Sequence, residues 1–365
     1  MTDPLLQVRN LSKWYTRGPG WLGGRRVMAV DDISFDIHAG RSLGLVGESG
    51  SGKTTIARLV ARLTDADGGT LRFQGADLRT LSGQPMRQMR RHIQIVSQDP
   101  ATAFDPRVPI GAALTAAMRL HRLHPERDLA PRVAALLTSV GLPVGMVHRF
   151  PHQLSGGQVQ RLAIARALSV QPALIILDEV VSALDSLVKA QTLDLLQRLQ
   201  RDLGHAYLFI SHNIADVRQV ADHIGVLYGG KLVECGSAQD VLCRPKHPYS
   251  GALLSAATWV GPGPGPGVAS DHTLTTGCAF ASRCPDVRPR RHSGKPSLAG
   301  PDMGHVSACL RSHDLPPAAP LPDFGRPLST VARLRLGLLS RTALAQTADD
   351  DPTNALAPAI PRPRP

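Results

Sequence analysis

The chain has 365 residues, 42% of them apolar and 4% aromatic, with 41 Lys+Arg against 29 Asp+Glu for a formal charge of +12. At roughly 100–200 residues per domain, that length allows two or three domains, and the apolar fraction excludes a wholly disordered chain. Five cysteines exclude a disulfide scaffold and fit a reducing cytoplasm. No apolar run reaches the roughly 18–20 residues of a bilayer span. Met1-Thr2-Asp3-Pro4 lacks the basic and then apolar start of a signal peptide. A charge of +12 points first to nucleic acid or an anionic membrane. The charge is dispersed, however: net +8 over residues 1–260 and +4 over 261–365. No block of five or six like charges makes a nucleic-acid arm, so no nucleic-acid partner is expected.

Buried strands are predicted at Ser42–Val46, Ile93–Ser97, Leu174–Leu177 and Tyr207–Ile210, where apolar, β-rich runs are short. Helices are predicted between them at Lys53–Arg62, Gly157–Leu168 and Leu187–Leu203. Residues 111–140 are rich in Ala, Leu and Arg without strand alternation and read as helical. Strands alternating with helices imply an α/β fold with a mainly parallel sheet covered on both faces. Alternating Gly and Pro at 261–267 supports neither helix nor sheet and reads as a linker. Ten of the 30 prolines lie in the last 50 residues, so 316–365 reads as a disordered tail.

Gly47-Glu48-Ser49-Gly50-Ser51-Gly52-Lys53-Thr54-Thr55 follows an apolar strand and opens a helix. Gly, four residues, Gly, Lys and Ser or Thr is the phosphate-loop pattern, and strand-then-helix is its proper context. Glycines let the backbone wrap phosphates with inward N–H groups, and the helix start adds positive partial charge. Lys53 is expected to reach the β- and γ-phosphates and Thr54 to ligate Mg²⁺. Leu174-Ile175-Ile176-Leu177-Asp178-Glu179 is a buried strand ending in two carboxylates. At the carboxyl edge of a sheet, Asp178 would hold Mg²⁺ and Glu179 would polarise the attacking water.

Leu154-Ser155-Gly156-Gly157-Gln158 then leads into a helix. Lys53, this segment and Asp178-Glu179, in that order, resemble the nucleotide-binding subunit of ATP-binding-cassette (ABC) transporters. Further segments look like that family's motifs: Gln98 the Q-loop glutamine, also near Mg²⁺, Ser182-Ala183-Leu184-Asp185 the D-loop, and His212 the switch histidine. Tyr15 sits where the family stacks an aromatic on adenine. The resemblance covers about residues 5–257. It implies a P-loop NTPase fold with a mainly parallel core, an antiparallel β part and a helical subdomain at about 99–165. It also implies ATP and Mg²⁺ as cofactors, and two ATP molecules sandwiched between subunits. Leu154–Gln158 would then act in trans on the ATP held by the partner ATPase. One departure is Val180, where peptide-branch relatives often carry Pro.

Pro245-Lys246-His247-Pro248-Tyr249, Arg149-Phe150-Pro151-His152-Gln153 and Gly277–Pro285 resemble the oligopeptide/dipeptide (and nickel) importer branch. That branch implies two integral permease subunits, a second ABC ATPase subunit in a homo- or heterodimer, and an extracytoplasmic substrate-binding protein. It places the chain peripherally on the cytoplasmic face of the inner membrane. The imported solute, whether peptide, nickel or another small molecule, stays open, as does a soluble ABC ATPase outside transport. The implied domains are the ATPase at 1–257, a Gly/Pro linker at 258–272, a Cys-bearing accessory region at 273–315 and the tail. The branch pattern has four cysteines after the linker, suited to a metal or an iron–sulfur cluster. Here Cys278, Cys284 and Cys309 remain, Arg291 stands at the fourth position, and His292 and His305 are near. Three thiolates beside an arginine make a poor tetrahedral site, so reduced thiols stand against a cluster. Cys235 and Cys243 read as ordinary buried thiols of the ATPase domain.

Overall fold

The structure, a computed structural model, describes residues 3–17, 24–258, 277–285, 287, 296–298 and 304–309. Almost all of the 258–272 linker segment and the whole 316–365 segment lie outside them. Arg291 and His292 do too.

A seven-stranded sheet carries the fold. Five of its strands run parallel: β9 (His223–Tyr228), β3 (Ser42–Val46), β8 (Ala206–Ser211), β7 (Leu174–Asp178) and β6 (Ile93–Val96), side by side in that order. Beyond β9 the sheet continues antiparallel through β10 (Lys231–Ser237) to the short β11 (Val306–Ser307). A second, antiparallel sheet is formed by β1 (Leu6–Arg17), β2 (Arg25–Ile37), β4 (Gly68–Phe73) and β5 (Ala76–Asp77), in the order β2-β1-β4-β5. The fold is therefore α/β, with a parallel core and an antiparallel part.

Both faces of the parallel sheet are apolar because both are covered. Successive side chains alternate across a strand. Leu43, Leu45, Leu208, Ile210, Leu174 and Ile176 share one core with Ile56 and Leu59 of α1 (Lys53–Val60) and with Leu6, Val8, Ile33 and Phe35 of the second sheet. The intervening residues face α6 (Ser186–Leu203) and α7 (Ile214–Val220). Tyr207 Oη donates to Leu196 O of α6 at 3.1 Å. A Cβ on Gly44 would lie 2.1 Å from Val217 Cγ1 of α7, so glycine lets that helix approach the strand. The predicted strands and helices are all present, with ends shifted by a residue or two.

The described part of residues 99–165 holds only helical elements: α3 (Ile110–Leu120), α4 (Glu126–Ser139), three short 3₁₀ turns and the first ten residues of α5 (Gly156–Leu168). Cys235 on β10 is buried, and burial pushes its thiol up to about 12. Cys243 differs from expectation. It ends α8 (Ala238–Cys243), where Val241 and Leu242 take the inward positions, and the next residue is turned out to solvent.

A buried carboxylate helps to tie the C-terminal part to the sheet. Glu234 on β10 is 0% exposed. It accepts the Lys246 and His247 N–H groups at 2.8 and 2.9 Å, and His305 Nε2 lies 2.7 Å from Oε1. The turn so formed leads into α9 (Pro248–Thr258) and buries the His247 ring, whose Nδ1 accepts the Tyr249 N–H at 3.1 Å. Burial pushes the His247 imidazole down to about 4, against an opposing pull from Glu234. Between about pH 6.5 and 4 the unfolded chain therefore binds the proton more readily than the folded one, and stability falls as pH falls. The loss across that window is of order 3 kcal/mol. His247→Asn keeps an acceptor for Tyr249 and should flatten this part of the profile of melting temperature against pH.

Candidate functional site

Parallel register brings four segments to one sheet edge. Val46 pairs with Ser211, Ile210 with Asp178, and Leu177 with Val96. The loop after β3, the carboxylates ending β7, His212 after β8 and Gln98 after β6 thus leave the sheet on the same side. An α/β sheet collects ligands at this carboxyl edge.

The loop Gly47–Gly52 is fitted closely to its surroundings. Gly50 and Gly52 have φ of +79° and +104°, in the left-handed region that favours glycine. A Cβ on Gly52 would also lie 2.4 Å from Ala29 O of β2. Lys53 opens α1 and is 4% exposed, its ammonium turned back into the loop. It donates to Gly47 O at 2.7 Å and Glu48 O at 2.8 Å. Burial lowers the Lys53 pKa, while Glu179, Asp178 and Glu48 pull it back up. Thr54 Oγ1 donates to Asp178 Oδ1 at 3.3 Å, which sets those two oxygens side by side. Burial raises the Asp178 pKa, with the Thr54 hydrogen bond, Lys53 and Arg58 opposing and Glu179 adding. Ser51 is buried, while Ser49 and Thr55 flank the turn.

Glu179 has φ of +52°, unusual for a residue other than glycine. Its N–H donates to Ile210 O at 2.9 Å, and its carbonyl accepts the Ser182 hydroxyl at 2.8 Å. The chain leaves β7 through this kink, and Glu179 Oε2 lies 3.6 Å from His212 Nδ1. Val180 is buried directly after it. Backbone strain of about 1–3 kcal/mol at such a position is common at functional sites.

The remaining predicted residues are placed as follows. Gln98 is exposed, two residues beyond β6. Ser155 caps α5 in a capping box: its Oγ accepts the Gln158 N–H at 3.4 Å, and Gln158 Oε1 accepts the Ser155 N–H at 3.0 Å. Leu154 is half-buried, whereas Ser155 and Gly156 face solvent. A Cβ on Gly157 would lie 2.7 Å from Val188 Cγ1, which seats α5 against α6. Asp185 caps α6 through the Leu187 and Val188 N–H groups, with Ala183 exposed and Leu184 half-buried before it. Tyr15 is 39% exposed, pairs with Val27 and carries Lys13 Nζ 5.6 Å from its ring centre. Strand β2 thus links the Tyr15 region to Ala29 beside Gly52. Cys278, Cys284 and Cys309 are half-buried. Among the described residues, no group of three or more His, Cys, Asp or Glu is arranged to hold a metal ion.

Sequence reasoning missed the neighbours of Glu48. Tyr249 Oη accepts its N–H at 3.0 Å, and Arg283 binds its carboxylate. The motifs holding both residues were visible, but local spacing does not show that they meet a loop 200 residues away.

Residues 30–182 match the ABC transporter family, and residues 233–290 match the oligopeptide/dipeptide transporter C-terminal region. A Brucella ovis protein named for peptide import ATP-binding is 40% identical over 325 residues, which are 86% of this chain and 100% of that one. The chain belongs to the ABC transporter family of ATP-binding proteins. Glutathione import ATP-binding protein GsiA of Escherichia coli is 46% identical over 256 residues, 70% of this chain and 41% of its own length. The solved structure of cbiO1 from Clostridium perfringens, described as part of an ABC transporter complex, superposes on this cassette with a TM-score of 0.58 at 26% identity. It covers 66% of this chain and 91% of that one. The dimeric cassette MJ0796, at 24% identity and a TM-score of 0.58, shares the fold over 64% of this chain and 98% of its own. Within the cassette's described residues no helix is long and apolar enough to cross a membrane.

Gly52→Ala tests the fit of the loop. The added methyl meets the Ala29 carbonyl and strains the backbone, so melting temperature should fall by the equivalent of about 1–3 kcal/mol. Titration with a fluorescent ATP analogue should show weakened binding.

Proposed function

We propose that the chain is the ATP-hydrolysing subunit of an ABC importer for oligopeptides or dipeptides. The observation that carries this reading is the joining, in one chain, of a phosphate-loop cassette to a C-terminal region of the oligopeptide/dipeptide transporter type. The two named relatives, concerned with peptide and glutathione import, point the same way. Residues 1–257 are the ATPase, with 99–165 as its helical subdomain and 273–315 as an accessory region. The partners are two integral permease subunits, a second ABC ATPase and an extracytoplasmic substrate-binding protein, on the cytoplasmic face of the membrane.

Gly47–Thr55 bind the ATP phosphates through backbone N–H groups and Lys53, and Tyr15 offers its exposed ring to adenine. The oxygens of Thr54 and Asp178 suit Mg²⁺, a hard cation that takes few protein ligands beside phosphate and water. The buried Asp178 carboxylate is the kind of group whose charge such a cation offsets. Mg²⁺, when bound, would neutralise phosphate charge; Gln98 completes its surroundings. Glu179 accepts the proton of the water that attacks the γ-phosphorus, and ADP leaves as the bridging bond breaks. His212 orients Glu179 and the γ-phosphate. Ser155–Gln158, whose hydroxyl and helix start face solvent, contact the ATP held by the partner ATPase, with Ser182–Asp185 at the same junction. Closure then depends on γ-phosphate and is released by hydrolysis.

Glu179→Gln keeps the shape of the side chain and removes the base. Phosphate release should fall at least ~100-fold while the fluorescent ATP analogue still binds. Turnover near the wild-type rate would remove Glu179 from this role.

A further inference from the structure

Glu48 is the acidic residue of the phosphate loop. A carboxylate there opposes the binding of a polyanion, and it stands close enough to act on Lys53. The fold holds Glu48 at both ends. Its N–H donates to Tyr249 Oη at 3.0 Å. Its two carboxylate oxygens accept from Arg283 Nη1 and Nη2, each at 2.9 Å, in a two-pronged pair. Such pairs fix direction as well as charge. Both side chains are largely shielded, at 21% and 24% exposure.

Arg283 is itself held. It ends a 3₁₀ turn, Ala281–Arg283, that begins after the buried Phe280. The rings of Tyr228, Tyr249 and Phe280 contact one another, with centres 4.7, 5.2 and 5.5 Å apart. The Arg283 guanidinium lies 5.7 Å from the Tyr228 ring centre and 5.8 Å from that of Phe280. A flexible arginine is thereby positioned on an aromatic platform before it reaches the loop.

We infer that the C-terminal segment around Arg283 is a clasp on the phosphate loop: it cancels the Glu48 charge and fixes the loop in its nucleotide-receiving shape. Arg283 is then a positioning residue for ATP, contributed by a segment outside the cassette's own motifs. This inference rests on the reading of residues 47–55 as the ATP site. A brace that serves stability alone would lower the melting temperature and leave the affinity of folded protein for nucleotide unchanged.

The test uses the full chain, with melting temperature as a check of folding and a fluorescent ATP analogue as ligand. Arg283→Ala should raise Kd for the analogue and KM for ATP about five- to ten-fold, with kcat changed less than about two-fold. Arg283→Lys, which keeps the charge but not the fork, should fall between, and it carries the measurement if Arg283→Ala does not fold. In a Glu48→Ala background, Arg283→Ala should add no further loss, because Arg283 acts through Glu48. An unchanged Kd in folded Arg283→Ala overturns the clasp, and so does an equal loss in both backgrounds. If wild-type protein does not bind the analogue, the ATP-site reading fails by itself. Amide hydrogen exchange over residues 47–53 then judges the clasp: faster exchange in Arg283→Ala supports it, and unchanged exchange overturns it.

Discussion

The site is organised around a buried ammonium group. Lys53 is 4% exposed, and three carboxylates act on it: Glu48, Asp178 and Glu179. A buried charge persists only where partners replace its water. The carbonyls of Gly47 and Glu48 do so directly, which requires the loop to curl over the start of α1. That curl needs positive φ at Gly50 and Gly52 and close approach to Ala29. The close approach to Ala29 also sets the loop directly against β2 of the second sheet.

The loop, the paired carboxylates and the helix start at Ser155 were legible in the sequence because each is local. Glycine spacing, a strand ending in Asp178-Glu179 and a serine three residues before Gln158 carry their geometry with them. The parallel core was legible for the same reason, as short apolar runs alternating with helical segments. Other features depend on residues far apart in the chain. The left-handed backbone of Glu179 has no glycine or asparagine to announce it; the Ile210 carbonyl and the Ser182 hydroxyl hold it there. Cys243 ends a six-residue helix, where one position of rotation separates buried from exposed. Arg283 and Glu48 are 235 residues apart, and only the fold joins them.

The C-terminal motifs also gain a physical meaning. Pro245–Tyr249 could be read only as a resemblance. In the fold, Glu234 anchors that turn through the backbone N–H groups of Lys246 and His247, and Tyr249 projects from it to the phosphate loop. Lys246 Nζ donates to His305 O at 2.7 Å, and the Ala308 N–H donates to Val233 O at 2.8 Å, so the residues around β11 join the same assembly. The accessory residues thus complete the far edge of the sheet and one wall of the loop together.

Charge balance connects these parts. One ammonium facing three carboxylates would leave the site net negative, the wrong sign for a polyphosphate. Pairing Glu48 with Arg283 removes one negative charge without adding a cation to the loop itself. Asp178 and Glu179 remain, and in the proposed function they serve the divalent cation and the reacting water rather than the phosphate oxygens. The residues of the site carry costs of their own: desolvation of Lys53 and Asp178, and the strained backbone of Glu179. A ligand that brings phosphate to Lys53 and a cation to Asp178 relieves the first two. Binding to the folded state alone then stabilises it in proportion to RT ln(1 + [L]/Kd). The same buried charges that weaken the free protein therefore make nucleotide occupancy and folding stability interdependent.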